Sequence, residues 1–187
     1  MKKFELTNEF ITNMFGTKLF RIRALVEFGD VEAGELGGYV EKESNLGHDD
    51  NAWVYDNAWV YGNARVYGDA QVSGDALVYG NARVYGNAWV YGNALVCGNA
   101  RVCSDEDYAY AHGFGSVNRT TTFFRLKDGG VGVRCGCFYG TLAQFRDKIR
   151  ETHGETKKAQ EYLMLADLME LRFEEDENEV GNRKYVE

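Results

Sequence analysis

Proline is absent from the 187 residues, where average usage would place about nine. Its absence excludes collagen-like and proline-rich disordered chains. Cysteine is sparse: Cys97, Cys103, Cys135 and Cys137 are too few for a disulfide scaffold and lack zinc-finger spacing, so free thiols are expected. No apolar run approaches the roughly 18 residues of a membrane span, and the opening MKKFELTNEF has no apolar core of a secretion signal. A soluble, cytoplasmic protein with no membrane partner is expected. A positive excess is missing too. The formal charge is −8, made of −4 over 1–50, zero over 51–104, +1 over 105–154 and −5 over 155–187, which disfavours a long DNA or RNA partner. What the chain does have is 22 glycines, against about 13 on average usage, and 44% hydrophobic residues, enough to bury a core.

The glycines follow a period of six. From Asn51 the chain reads NAWVYD NAWVYG NARVYG DAQVSG DALVYG NARVYG NAWVYG NALVCG NARVCS, nine hexads without an insertion. Ala and Val stand two apart, so an extended segment turns both to one face and the variable residue and Tyr to the other. Gly followed by Asn or Asp tolerates left-handed backbone angles and supplies a corner. Each hexad therefore predicts a short strand and a turn.

This pattern resembles the hexapeptide repeat of left-handed parallel β-helices, in which three hexads make one triangular coil. The resemblance implies an all-β repeat, a left-handed parallel β-helix of three full coils, with a homotrimer as the implied assembly. The mostly Tyr position after Val departs from that family, where a small or acidic residue is usual. The segments LGGYVEKESNLG, TTTFFRLKDGGVGVRCGCFYGTLAQF and THG resemble a group of phage and prophage proteins. That likeness implies an origin rather than a mechanism.

Outside the repeats, residues 1–50 read as a lead-in and cap, with a strand over Lys18–Phe28, because a β-helix end exposes unpaired backbone. Residues 105–173 read as a small α+β C-terminal domain. Strands over Thr120–Lys127 and Val131–Tyr139 flank the Asp128-Gly129-Gly130 turn, Thr141 with Gln144 opens a helix that Gly154 stops, and a second helix covers Lys157–Phe173. That second helix is apolar around much of its circumference, which predicts packing on two sides. Residues 174–187 form an acidic tail.

With 18 residues per coil the variable positions sort into three columns, about 4.8 Å apart within each. On the first face Trp53, Gln71 and Trp89, flanked by Tyr55, Ser73 and Tyr91, leave a notch at Ser73. Two aromatic walls there would clasp a planar ring, unless another segment packs over them. On the second face Trp59, Leu77 and Leu95, beside Tyr61 and Tyr79, form an apolar surface suited to a subunit interface or to cover by the C-terminal helices. On the third face Arg65, Arg83 and Arg101 stand beside Tyr67 and Tyr85. These arginines are either a solvated face or a grip for a phosphate or carboxylate, with rings for stacking.

For catalysis, the hexapeptide acyltransferases imply a His base near an extruded loop. The nine hexads contain neither loop nor His, and of His48, His112 and His153 only His112, just beyond the last coil, suits that role. Three His for a metal lack the spacing, and the Cys135-x-Cys137 pair, read as lying on one strand face, suits a buried thiol pair better than a metal site. No cofactor is implied. The leading expectation is a non-enzymatic binding protein holding a small anionic nucleotide-type ligand or a host protein, with acyl-CoA-dependent transfer by His112 and a structural virion role as rivals.

Overall fold

The computed structural model describes residues 2–115 and 118–174. Three strands open the chain: β1 (Phe4–Thr12) and β2 (Lys18–Ala24) pair antiparallel, and β2 pairs antiparallel with β3 (Leu36–Val40). Nine two-residue strands follow at six-residue steps: β4 (Trp53–Val54), β5 (Trp59–Val60), β6 (Arg65–Val66), β7 (Gln71–Val72), β8 (Leu77–Val78), β9 (Arg83–Val84), β10 (Trp89–Val90), β11 (Leu95–Val96) and β12 (Arg101–Val102). Every third strand pairs in parallel, giving the sheets β4-β7-β10, β6-β9-β12 and β1-β2-β3-β5-β8-β11. The register is the 18-residue one: Trp53↔Gln71↔Trp89, Trp59↔Leu77↔Leu95 and Arg65↔Arg83↔Arg101.

The result is a β-solenoid of about four turns. The nine hexads supply three of them, and residues assigned by sequence to the lead-in supply part of another, because Tyr39 pairs with Trp59 in parallel and Leu46 bridges Val66. The segment Gly37-Gly38-Tyr39-Val40 imitates a hexad with glycine in place of alanine. A Cβ on Gly37 would stand 2.5 Å from Val54 O, and one on Gly38 2.6 Å from Ala58 O, so only glycine lets the chain pass there.

Alternation within each hexad decides the core. Every Ala and Val from Ala52 to Val102 is buried and lines the interior. The corners turn on Gly62 to Gly98 at six-residue steps, all with φ between 62° and 72°. Corner side chains also stack: Asn51 donates to Asp69 at 2.8 Å and Asn63 to Asn81 at 3.2 Å, each across one coil.

Backbone bonds tie each coil to the next, as from Trp53 N to Ala70 O (3.1 Å) and Leu77 N to Ala94 O (2.9 Å). The first and last coils have no further coil to pair with, so each end would leave N–H and carbonyl groups bare. At the first end Lys3 Nζ donates to Ala52 O at 2.8 Å, and Asn45 Nδ2 to Ala64 O at 2.8 Å. At the last end Asp105 Oδ1 accepts from Trp89 N at 2.7 Å, Thr122 Oγ1 accepts from Leu95 N at 2.9 Å, and the Tyr108 hydroxyl donates to Trp89 O at 2.8 Å.

Beyond the solenoid, β13 (Tyr108–Phe114), β14 (Arg119–Arg125), β15 (Val131–Cys135) and β16 (Phe138–Thr141) form an antiparallel meander that carries α1 (Leu142–His153) and α2 (Lys157–Phe173). Thr141 and Gln144 cap α1 reciprocally, at 3.3 and 2.9 Å, and Gly154 stops it with φ 58°. Phe123, Val133, Phe145, Tyr162 and Ala166 belong to a second core, separate from the solenoid interior. Buried Arg125 ties the two ends of this region by donating to Phe173 O at 3.1 Å, with Asp107 4.0 Å away. The expected two-sided packing of α2 is met on one side, since Met164, Leu168 and Leu171 remain exposed. The tail from 175 onward lies outside the described residues. Among the described residues, no helix is long and apolar enough to cross a membrane.

Candidate functional site: an arginine and tyrosine column

The third sheet sets Arg65, Arg83 and Arg101 directly above one another, because hexads that begin NARV recur every three strands. Two residues further along each hexad, the Tyr67 and Tyr85 rings stack at 5.2 Å with 5° between planes, and Cys103 continues the row below. Arg65 is exposed, with its guanidinium 5.8 Å from the Tyr67 ring, while Arg83 and Arg101 are half-buried and Tyr85 is buried. Arg101 donates to Asn81 O at 3.1 Å and to Ala100 O at 2.8 Å, which fixes its guanidinium against the corner. Burial and then the neighbouring Arg83 push its pKa down. No carboxylate among the described residues forms an ion pair with any of the three.

Like charges one strand spacing apart repel by about 1 kcal/mol per pair in water and by several times that where water is partly excluded. A bound anion would remove this cost, and guanidinium forks match phosphate and carboxylate oxygens. At the first-coil end the column opens into a cleft of 460 Å³ lined by Arg65, Tyr67 and Gly68 together with His48 and the carboxylates Glu43, Asp49 and Asp50. The first end of the arginine column is thus reachable from solvent.

The first face departs from its expected geometry. Trp53 has no exposed surface. Phe4 and Phe28 pack edge-on against it at 6.2 and 5.3 Å, because the N-terminal strands close over the hydrophobic end of the first coil. Trp89 is half-exposed, and its indole N–H donates to Ser73 Oγ at 2.9 Å, so the ring leans over the notch that small Ser73 was to leave open. Half-buried Gln71 lies between them. The clasp between Trp53 and Trp89 is not formed.

On the second face Trp59, Leu77 and Leu95 remain half-buried, and the Tyr61 and Tyr79 rings stack at 5.1 Å. Burial pushes the Tyr61 and Tyr79 hydroxyls and the Cys97 thiol up. The C-terminal helices bury their apolar side chains against β13–β16, so cover of this face by those helices is not what the fold builds.

The three histidines occupy three separate places. His48 Nδ1 accepts from Lys3 N at 3.2 Å and its ring stacks on Phe4, while His153 stacks on Tyr162 at the end of α1. His112 is exposed on β13, with Nδ1 2.9 Å from Thr120 Oγ1. The four cysteines are free thiols. Cys135 and Cys137 do not form the expected buried pair. Cys135 ends β15 and contacts Thr121 Oγ1 and Tyr162 Oη, whereas Cys137 is exposed in the two-residue turn to β16, where Gly136 takes φ 58°. Sequence reasoning missed the end-capping side chains Lys3, Asn45, Asp105 and Thr122. Period arithmetic cannot find them because none belongs to a hexad.

The fold and its stacked columns define a β-solenoid repeat protein. Four overlapping segments, residues 58–74, 70–86, 78–92 and 82–98, match the YdcK beta solenoid repeat. No curated protein matches the chain.

Proposed function

We propose that this is a non-enzymatic binding protein whose arginine column holds a small anionic ligand of the nucleotide type. The observation that carries the reading is the column itself: three guanidinium groups in parallel register, without a carboxylate partner among the described residues, beside two stacked tyrosines. Phosphates would lie along Arg65 and Arg83, and a planar base would enter the cleft beside Tyr67. Arg101, already bonded to two carbonyls, would act at longer range. The likeness of the flanking segments to phage and prophage proteins supports a role in the bacterial cytoplasm, sequestering a host nucleotide signal. The same column would also suit an acidic patch on a masked host protein. Neither Trp53 nor Trp89 takes part.

Native mass spectrometry of freshly purified protein, followed by calorimetric titration with mononucleotides, cyclic dinucleotides and pyrophosphate, tests the reading. Wild type retains or binds one of these, with affinity falling as salt rises. Arg83→Glu weakens that binding by at least about a hundredfold, since a charge-assisted bond is lost and a like charge introduced. Binding by none of the probes, together with unchanged host-protein capture by Arg83→Glu, would discard it.

A second reading rests on His112, whose Nδ1 is held by Thr120 while the ring stays exposed, as a general base needs. Acyl-CoA turnover abolished by His112→Ala would favour it over ligand binding.

A further inference from the structure

The loop from 13 to 17 that joins β1 to β2 is held in one shape. Asn13 N donates to Thr17 O and Gly16 N to Asn13 O, both at 3.0 Å, and Asn13 Oδ1 accepts from Phe15 N and Thr17 N, both at 2.9 Å. Asn13 is buried, yet the two side chains it presents, Met14 and Phe15, are 89% and 79% exposed. Four hydrogen bonds thus fix a tip that holds two large apolar groups in water. Such a tip is pre-organised for an apolar recess, because little conformational freedom remains to be lost on docking.

A recess of that kind lies on the second face. Ile11, Tyr39, Trp59 and Leu77 line a groove of 270 Å³, with Asn57 and Asp75 on its rim. The tip does not occupy the groove of its own chain, as its exposure shows. Charge matches across the two parts. Lys18 stands at the root of the tip with Nζ 4.2 Å above the Phe10 ring, whereas exposed Asp75 at the rim accepts only a long 3.5 Å bond from Asn57. Knob and groove also belong to one sheet, β1-β2-β3-β5-β8-β11, so every copy carries both halves.

From this complementarity we infer that the Met14–Phe15 tip of one copy seats in the second-face groove of another copy, with Lys18 facing Asp75. Made reciprocally in a pair or head-to-tail in a ring, the contact closes without leaving a free tip. It covers Trp59 and Leu77.

Sedimentation velocity on the full chain is the test. Wild type sediments as a dimer or closed ring. Phe15→Asp and Leu77→Glu each weaken assembly by at least about tenfold in Kd, and mixing the two restores part of it, since one retains a groove and the other a tip. Carbodiimide treatment of mixed light and isotope-labelled wild type yields a Lys18–Asp75 cross-link joining light to heavy chains. Circular dichroism confirms that each variant is folded; should one unfold, Phe15→Ser and the wild-type cross-link decide. A wild type that stays monomeric at its highest soluble concentration overturns the inference, as does an assembly indifferent to both substitutions.

Discussion

Lys3 shows how a residue outside every repeat holds the repeats together. Its ammonium group covers the Ala52 carbonyl at the open end of the first coil, and burial pushes its pKa from 10.5 down to about 8, against the opposing pull of Asp50, Asp49 and Asp69. The folded chain therefore releases this proton before the unfolded chain does. Stability of wild type relative to Lys3→Met should rise as pH climbs from about 8 to about 10.5, and this gain should be lost as pH falls back through about 8, a difference read by urea denaturation of both proteins across that range. At the corners the decisive residue is glycine. A Cβ on Gly80, at φ 72°, would lie 3.0 Å from Gly98 N, so Gly80→Ala should destabilise by about 1–3 kcal/mol, visible as a lower urea midpoint. Asp56 occupies the equivalent corner of the first hexad at φ 52° and accepts from Gly74 N, so Asp56→Ala should cost comparably through the lost bond.

At the scale of elements, each two-residue strand is too short to persist alone and exists only because the strand one coil away completes its bonds. The hexads were readable from sequence because Ala and Val at fixed spacing decide which face is inside, while which residues stack followed from the three-hexad coil that the family resemblance implied. The C-terminal elements were readable for a different reason, as capping and turn signals are local. Thr141→Ala should lower the stability of the helical region by about 1 kcal/mol, measured by amide exchange in α1, because it leaves Gln144 N without its acceptor. The β1–β2 hairpin was half legible. Lys18–Phe28 read as a strand, but its partner Phe4–Thr12 mixes polar and apolar residues and takes its place only by pairing with β2. The first-face cleft failed at this scale too. Residue spacing places Trp53 on an outward column, and only the packing of Phe4 and Phe28 reveals that the column is covered there.

For the whole molecule, closing the two solenoid ends is the governing requirement. Each end coil lacks a further coil to pair with, and the chain covers the exposed backbone with side chains from outside the repeats, Lys3 and Asn45 at one end and Asp105, Thr122 and Tyr108 at the other. A chain ending at Ser104 would lose Asp105, Thr122 and the β13–β16 meander, leaving the N–H groups of Trp89 and Leu95 bare. End-to-end aggregates in electron micrographs, absent for the full chain, are the expected outcome. The amino-acid sequence by itself determined the hexads and which of their residues face inside, because an unbroken six-residue period with Ala and Val two apart fixes one buried face. Three hexads per coil, and with them the columns, are what the resemblance to hexapeptide β-helices implied and the strand register shows. Which columns face solvent was decided by the tertiary structure alone. That outcome depends on where non-repeating segments lie: the N-terminal strands bury Trp53, Trp89 leans onto Ser73, and the arginine column keeps an opening at its first end. No periodicity encodes such long-range contacts between unlike segments.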